Sequence, residues 1–164
     1  MKKDDYKIRA AGFEDAVDIS RIIRANPETL LARPIGDIVQ NIDRFLVAQT
    51  AKSICGTVSW QILPEIGAPH NPSVEIKSLA VDTDFRGLGI GKALVEKAIS
   101  QIRLLHPVQI IALTFAPEFF EKLGFRQVAK ESLMHKIYAG CVNCTRYDSP
   151  FTCPEIAVAL DIRA

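Results

Sequence analysis

The hydrophobic pattern in the first half of the chain predicts two helices and four strands. Apolar residues recur at a helical spacing within 13–26, and Asn26-Pro27 ends this helix because a residue before proline avoids helical backbone angles. A strand is expected before the helix at 6–9, and a short second helix follows at 34–42. Three further runs of strand character lie at 44–49, 54–63 and 73–82, with a proline-rich loop at 64–72.

Beyond residue 82 the pattern alternates between helices and strands. Residues 90–105 have the apolar spacing of an amphipathic helix, and the almost continuously apolar run 108–115 is typical of a buried central strand. A short helix is expected between Pro117 and Gly124, followed by a strand at 125–128. The order β-α-α-β-β-β-α-β-α-β predicts an α+β fold with a mixed, mostly antiparallel central sheet flanked by helices.

Size and charge exclude several classes of protein. The 164 residues suit a single domain over 1–164 with a sizeable core. The formal net charge is +1 without blocks of like charge, whereas a dedicated nucleic-acid or membrane-surface binder needs a concentrated basic surface. No apolar run reaches the length of a membrane span, and the charged start lacks the apolar core of a secretory signal. We therefore expect a cytoplasmic protein.

The four cysteines are expected to be thiols. Cys55 lies within an apolar run and is typical of a small core residue. The other three lie near the C-terminus: Cys141, Cys144 and Cys153. In a cytosolic protein they either pack an irregular tail as thiols or bind zinc, with His135 or Asp148 as a fourth ligand. Because a structural zinc site normally shows four clear ligands, no metal is predicted.

The segment with the clearest binding chemistry joins the strand at 73–82 to the helix that begins near residue 90. It reads Arg86-Gly-Leu-Gly-Ile-Gly-Lys92. Glycines let the backbone approach a ligand closely, and the first amides of a helix are unpaired and carry partial positive charge. Together with the positive charge of Arg86, these amides form an anion site that fits a pyrophosphate.

The same segment is also compatible with an ordinary turn before a helix, since a lone Gly-x-Gly is weak evidence. Polar Glu75 and Lys77 within a strand that should be central favour a functional site instead. A dinucleotide-binding site is a poor alternative, because its glycine fingerprint would follow the first parallel strand of the sheet. A phosphate-binding P-loop requires a hydroxyl after its lysine, whereas here Ala93 follows Lys92.

Three stretches resemble the GCN5-related N-acetyltransferase (GNAT) family: Leu79–Val81, Arg86–Gly91 and Glu121–Phe125. Arg86, Gly89 and Gly91 match the family's Arg/Gln-x-x-Gly-x-Gly/Ala motif, and the element order agrees over nearly the whole chain. The resemblance implies an N-acetyltransferase that uses acetyl-CoA. It also implies that the backbone of Arg86–Gly91 holds the CoA pyrophosphate, while the backbone of Leu79–Val81 pairs with pantetheine beside a bulge that splays the sheet.

The cofactor contacts that the resemblance implies lie at the end of a strand, in the glycine-rich turn and in one later helix. They are Leu79, Ala80, Val81, Arg86, Gly87, Leu88, Gly89, Ile90, Gly91, Lys92, Phe119 and Phe120. Phe119 and Phe120 are expected to pack in the core and against pantetheine. The family often has a tyrosine at the position of Phe120, which cannot donate a proton. Either a water protonates the leaving thiolate, or CoA leaves as the thiolate.

Glu75 is the candidate general base. The resemblance places it where many family members carry a glutamate on the fourth strand, and a carboxylate in a partly desolvated cleft can accept a proton near neutral pH. The alternative is that Glu75 only pairs with Lys77 or another cation on the sheet face.

Several strings resemble bacterial N-acetylglutamate synthases, in particular short forms without a kinase domain. They are Leu30–Arg33, Gln40–Phe45, Glu75–Val81, Leu113-Thr114 and Leu133–Tyr138. The resemblance implies that Arg33 binds a substrate carboxylate, a task that suits arginine because it can form two parallel hydrogen bonds. The alternative is a solvated loop arginine. Lys77 and Thr114 are further candidates for substrate binding, although Lys77 is also compatible with a surface or ion-paired lysine.

The resemblance is incomplete near the C-terminus, where the longer synthases carry an Arg-x-Ser pair and this chain has Cys153-Pro-Glu155. Arg146 or Lys136 could replace that arginine, and residues 132–164 could complete the acceptor site. The partner is expected to be a small-molecule amine, foremost an amino acid such as L-glutamate, acetylated in the first step of arginine biosynthesis. The alternatives are a protein lysine, an N-terminus, a polyamine, or an acetyl-CoA-binding module without turnover. The resemblance also leaves a homodimer open.

Overall fold

The computed structural model describes residues 5–64, 70 and 72–162, so that most of the predicted loop at 64–72 lies outside the described residues. The chain divides into two compact units. The first unit comprises Met1–Gln61 and Ile76–Gln101, and the second unit comprises Ile62–Glu75 and Ile102–Ala164. Among the helices that the structure describes, none combines the length and apolar character needed to cross a membrane.

The first unit contains the N-terminal strands and helices. Its elements are β1 (Tyr6–Ala10), α1 (Ala16–Arg24), α2 (Ile35–Gln40), β2 (Phe45–Thr50), most of β3 (Ile54–Leu63), the later part of β4 (Ser73–Val81) and most of α3 (Ile90–Arg103). Strand β2 pairs antiparallel with β1 and with β3. These two pairings agree with the mostly antiparallel sheet expected from the sequence.

One face of α1 forms the core of the first unit, because its apolar residues recur every three or four positions. Ile19, Ile22 and Ile23 are fully buried and belong to one cluster with Ile38 of α2 and Phe45 of β2. Burying a side chain of this size contributes about 1.5–3 kcal/mol. This packing positions α2, and with it the loop that carries Arg33.

The second unit contains the start of β4 and the C-terminal elements. These are β5 (Gln109–Thr114), α4 (Pro117–Glu121), β6 (Arg126–Gln127), α5 (Met134–Ala139) and β7 (Ile156–Asp161). Strand β4 pairs in parallel with β5 over Ser73–Glu75, and β7 pairs antiparallel with both β5 and β6. The apolar run predicted to be a central strand is β5, whose Ile110 and Ile111 are fully buried.

The predicted α+β class, with a mixed and mostly antiparallel sheet flanked by helices, is confirmed. Hydrogen-bonded neighbours follow the order β1-β2-β3-β4-β5-β7-β6. The pairing of β4 with β5 is parallel, whereas the pairs β1-β2, β2-β3, β5-β7 and β6-β7 are antiparallel.

The structure adds two elements after the last strand that the sequence predicted. Helix α5 and strand β7 extend the predicted order of elements, and β7 lies between β5 and β6. Strand β7 buries Ala157, Val158 and Ala159 in succession, so its sequence lacks the polar-apolar alternation of a half-exposed strand. Both partner strands lie far upstream in the chain, and no local pattern indicates that pairing.

Candidate active site

Strand β4 contains an irregular residue in its second half. Ser78 has a φ of 54°, which is uncommon for a residue with a side chain and costs about 1–3 kcal/mol. Such residues cluster at functional sites. Ser78 is buried, and the backbone change lies directly before Leu79–Val81, the residues predicted to pair with pantetheine.

The turn between β4 and α3 presents a row of backbone amides. Gly87 and Gly89 have φ values of 78° and 80°, and a Cβ atom at either position would have no atom within 4 Å, so conformation and not space favours glycine here. The first amide that donates at the start of α3 is that of Ala93, to the carbonyl of Gly89 at 3.0 Å. Within the described chain, the amides of residues 87–92 have no recorded acceptor, which is the arrangement that binds anions at a helix N-terminus.

Neighbouring groups hold this turn in place. The amide of Asp82 donates to the carbonyl of Cys55 at 2.9 Å, and the Asp82 carboxylate accepts from Nη1 of Arg21 at 3.1 Å. A Cβ atom on Gly56 would lie only 3.1 Å from side-chain atoms of Ile90 and Leu94. Glycine at position 56 therefore lets the start of α3 pack closely on β3.

The guanidinium of Arg86 is tethered beside the turn. Its Nη2 donates to Oδ1 of Asn26 at 2.6 Å, and its Nε donates to the carbonyl of Val81 at 3.4 Å. In the sequence, Asn26 marks only the end of a helix, whereas in the structure it orients Arg86, a predicted cofactor-binding residue. Lys92 is exposed and lies 3.8 Å from Glu96 on the next turn of α3.

Arg33 is held by several groups of the first unit. Its Nε donates to Asp37 at 2.6 Å, and its Nη1 donates to the hydroxyls of Ser59 at 3.2 Å and Ser78 at 3.1 Å. The guanidinium carbon lies 5.1 Å from the centre of the Phe45 ring, a cation–π distance. With only 15% of the side chain exposed, Arg33 is not a solvated loop residue.

Glu75 lies in the second unit, beside a lysine that the sequence analysis considered only as a substitute for a missing arginine. Nζ of Lys136, on α5, lies 2.9 Å from Oε1 of Glu75, and the two side chains are 10% and 5% exposed. Burial lowers the pKa of Lys136, but the attraction of Glu75 and the hydrogen bond to it outweigh burial and raise the pKa above its ordinary value. Lys136 is therefore a permanent cation at neutral pH.

Further titratable groups of the second unit act on this pair. Burial raises the pKa of Glu155, and the negative charge of Glu75 raises it further. Burial also raises the pKa of the Cys141 thiol, which feels the charges of Lys136, Glu75 and Glu155. The Cys153 thiol donates to Glu155 at 3.6 Å. The segment that carries these residues also forms a small cavity, lined in part by Cys141, Cys144, Cys153, Tyr147 and Glu155.

The other predicted site residues lie on β4, β5 and α4. Nζ of Lys77 donates to Gln61 at 3.0 Å, and the Thr114 hydroxyl accepts from the amide of Ala116 at 3.0 Å. Phe120 is buried, as expected for a core residue, and Phe119 packs edge-on against it at 5.1 Å between ring centres. Among the described residues, no group of three acidic, histidine or cysteine side chains is arranged to hold a metal ion.

Sequence reasoning missed the partners that orient the predicted residues. Asp37, Ser59 and Ser78 hold Arg33, and Lys136 holds Glu75. These are common polar residues without a motif, and they meet their partners only through tertiary folding. A buried strand that contains a charged residue does signal that a counter-charge exists, but it does not identify the partner.

Comparisons with known proteins identify the family. The acetyltransferase (GNAT) domain family matches residues 41–127, just over half of the chain. An uncharacterized N-acetyltransferase of Chlorobaculum tepidum is 32% identical over 160 residues, covering 96% of this chain and 97% of that protein. An amino-acid acetyltransferase of Mycobacterium tuberculosis is 32% identical over 74 residues, or 45% of this chain and 41% of that protein.

Solved structures share the fold. A Mycobacterium tuberculosis protein in complex with CoA and NLQ has a TM-score of 0.78 at 22% identity, with 94% of this chain and 98% of that chain covered. N-acetylglutamate synthase from Neisseria gonorrhoeae, complexed with coenzyme A and N-acetyl-glutamate, has a TM-score of 0.76 at 19% identity, with 97% and 35% covered. The family match and the full-length relative establish that the chain belongs to the GNAT family of acetyl-CoA-dependent N-acetyltransferases.

Proposed function

We propose that this enzyme acetylates the amine of a small amino acid, with L-glutamate as the favoured acceptor. The observation that carries the proposal is the fixed guanidinium of Arg33. An acceptor that bears a carboxylate needs such a group, because arginine binds carboxylates through parallel, charge-assisted hydrogen bonds. With glutamate as acceptor, the reaction is the first step of arginine biosynthesis, and we propose a cytoplasmic location on that basis.

Two of the three guanidinium nitrogens of Arg33 donate to the protein, and the third is proposed to bind the acceptor. Nε and Nη1 donate to Asp37, Ser59 and Ser78. Nη2 makes no hydrogen bond to any residue in the described part of the chain, so its N–H groups are available to a carboxylate. Because the protein already immobilises the guanidinium, binding loses less side-chain entropy than it would with a flexible arginine.

The partial match to a Mycobacterium tuberculosis amino-acid acetyltransferase supports the same acceptor class. The similarity to N-acetylglutamate synthase from Neisseria gonorrhoeae is below 25% identity and supports the fold alone. The acceptor therefore rests on Arg33 and on this partial sequence match.

The turn before α3 fits the diphosphate of acetyl-CoA. We assign the diphosphate to the amides of residues 87–92 beside Arg86, because those amides have no recorded acceptor in the described chain. The backbone of Leu79–Val81 is proposed to pair with pantetheine, and Phe119 and Phe120 to pack beside it. Acetyl-CoA supplies the acetyl group as an activated thioester.

Glu75 is the proposed general base. The acceptor amine reaches the enzyme mainly as an ammonium ion, and only the neutral amine can attack the acetyl carbonyl. Glu75 takes the proton from the ammonium, directly or through a water. Since Phe120 cannot donate a proton, the leaving thiolate is protonated by water or departs as the anion.

The remaining predictions about the acceptor stay proposals. Lys77 and Thr114 are proposed to contact the acceptor, and residues 132–164 are proposed to complete its site. Lys77 already donates to Gln61, and the hydroxyl of Thr114 accepts from a backbone amide, so any contact to the acceptor adds to these bonds. A homodimer is proposed from the family resemblance.

Glu155 favours a second candidate acceptor, a cationic amine such as a polyamine. It belongs to Cys153-Pro-Glu155, where the longer synthases carry an Arg-x-Ser pair, so that the positive charge is missing and a negative charge is present. Lys136 and Lys130 lie close enough to act on its charge and reduce the local negative field. We therefore rank the cationic acceptor second.

A DTNB assay of CoA release tests the proposal with a panel of amines at saturating acetyl-CoA. The panel contains L-glutamate, L-glutamine, L-aspartate, spermidine and a lysine-containing peptide. We expect turnover with glutamate or a related amino acid. In Arg33→Lys, the KM for that acceptor should rise about tenfold or more, equivalent to about 1.4 kcal/mol, while the KM for acetyl-CoA stays unchanged.

Arg103→Lys provides the matched control, because Arg103 is exposed at the end of α3. Its kinetic constants should equal those of the wild type. Turnover of spermidine with none of the amino acids would contradict the proposed acceptor and support the cationic alternative. An equal KM in Arg33→Lys and Arg103→Lys would remove Arg33 from the acceptor site.

A further inference from the structure

The buried pair of Glu75 and Lys136 has a consequence for the proton transfer. A carboxylate with only 5% of its side chain exposed has little water to stabilise its charge. Without a counter-ion, such a group takes up a proton and can no longer act as a base. Lys136 supplies the counter-ion at 2.9 Å, from a helix that begins at Met134.

Other titratable groups of the second unit lie around the pair. Glu155 is a second acid, and Cys141 is a thiol that becomes negative when it ionises. Lys130 interacts with Glu155, and its Nζ donates to the carbonyls of Pro150 and Cys153. Lys136, Glu155 and Cys141 therefore lie in one electrostatic cluster with Glu75.

Lys136 cannot itself be the base. Its pKa is raised above its ordinary value because Glu75 outweighs the effect of burial, so it keeps its proton at neutral pH. The two side chains therefore divide the work: one accepts a proton and the other carries a constant positive charge.

We propose that Lys136 is a positioning residue for acetyl transfer, which supplies the counter-charge of the buried Glu75 carboxylate and fixes its Oε1. The proton that leaves the acceptor ammonium passes to the Glu75 carboxylate, and Lys136 retains its own protons. Glu155 opposes Lys136, because its negative charge repels the Glu75 carboxylate. This inference rests on the proposed base role of Glu75.

The test compares the pH profile of kcat/KM for the wild type, Lys136→Gln, Lys136→Arg and Glu155→Gln. Glutamine keeps a hydrogen-bond donor but removes the charge, whereas arginine keeps the charge. In Lys136→Gln, we expect the acidic limb of the kcat/KM profile to move to higher pH by about one unit or more. On that limb kcat/KM should fall about tenfold, and at alkaline pH it should return to the wild-type value. Lys136→Arg should restore the wild-type limb, and Glu155→Gln should move it to lower pH.

Lys97→Gln is the control for the substitution itself, since Lys97 is exposed on α3, and its profile should match the wild type. Circular dichroism shows whether each variant is folded. If Lys136→Gln is unfolded, the opposite shift in Glu155→Gln still tests the charge argument.

Glu75→Gln separates this inference from the base role on which it rests. If Glu75→Gln loses most of kcat but Lys136→Gln loses activity equally at every pH, the base role stands and the inference about Lys136 is overturned. If Glu75→Gln retains kcat and the wild-type profile, the base role itself fails. An unshifted limb in both Lys136→Gln and Glu155→Gln also overturns the inference.

Discussion

The turn at residues 86–92 depends on backbone conformation, whereas the pair of Glu75 and Lys136 depends on two charged side chains. The turn presents backbone amides of consecutive residues in the first unit, and Gly87 and Gly89 contribute through their positive φ values. The pair consists of two buried side chains in the second unit, contributed by a strand and a distant helix. The turn should therefore respond to changes in backbone conformation, and the pair to changes in charge.

Glu75→Gln should produce the largest effect, because it removes the negative charge of the proposed base and keeps the shape of its side chain. We expect kcat to fall about 100-fold or more, since a general base contributes roughly 10²–10⁴-fold. The KM for acetyl-CoA should not change, because the amides of the turn are untouched. Steady-state kinetics with saturating acetyl-CoA measure both constants, and a kcat within about threefold of the wild type would remove Glu75 from the mechanism.

Asp15 is a buried carboxylate like Glu75, and we expect it to stabilise the fold without a role in catalysis. Asp15 accepts from Arg9 at 2.5 Å and from the amide of Gly12 at 2.7 Å. The hydrogen bond from Arg9 lowers the pKa of Asp15, outweighing burial, which raises it. Asp15→Asn should destabilise the protein by about 2 kcal/mol at neutral pH, because it removes a charge-assisted bond. Its kcat should stay at the wild-type value.

The pH dependence of that stability has a defined sign. A carboxyl whose folded pKa is lowered stabilises the fold above its unfolded pKa, and the contribution disappears as pH falls through the folded value. The difference between wild type and Asp15→Asn should therefore be largest at neutral pH and shrink in acid. Urea unfolding at several pH values measures it. Asp18→Asn, at an exposed ion pair, should change stability by less than about 0.5 kcal/mol, and an equal loss in both variants would contradict the prediction.

Gly89→Ala changes the backbone of the turn without changing charge. An alanine at a φ of 80° is strained by about 1–2 kcal/mol, although its Cβ atom would meet no neighbour within 4 Å. We expect the KM for acetyl-CoA to rise about tenfold, because the amides shift away from the diphosphate. Isothermal calorimetry with CoA gives the same change in affinity. An unchanged affinity would mean that these amides do not bind the diphosphate.

Gly36→Ala is the matched control and carries the smallest expected effect. Gly36 lies within α2, and a Cβ atom there would meet nothing within 4 Å. Alanine should stabilise the protein by about 0.4–1 kcal/mol, because it restricts the unfolded chain and favours the helix. Thermal unfolding measures the gain, and a loss of stability would show that this glycine is needed for its conformation.

The glycine-rich turn and the elements that flank it could be predicted because their signals are local. A strand, a turn with glycines at 87, 89 and 91 and a helix with an apolar face follow one another within about three dozen residues of sequence. The same holds for α1, whose buried isoleucines repeat at the helical period. Strand β7 could not be predicted in this way, since it inserts between strands that precede it in the chain.

In the candidate site, the sequence likewise indicated the candidate residues but not the partners that hold them. Arg33 and Glu75 were both identified as candidates through the family resemblance, and the polar character of Glu75 in a strand expected to be central also indicated a functional site. Their partners Ser59, Ser78 and Lys136 belong to no motif, and hydrogen bonds between residues so far apart leave no local pattern. The positive φ of Ser78 has no sequence signal either, because serine is not a residue that typically adopts it.

The sequence by itself determined the helical and strand periodicity, the glycine-rich turn and the family of this enzyme, because each depends on residues that are near neighbours in the chain. Only the tertiary structure decided which charges face each other in buried surroundings. Burial makes these contacts important, because a charge removed from water destabilises the fold unless an opposite charge or a hydrogen-bonding group lies beside it. In the second unit the fold places Lys136 beside Glu75. In the first unit it places the hydroxyls of Ser59 and Ser78 beside Arg33.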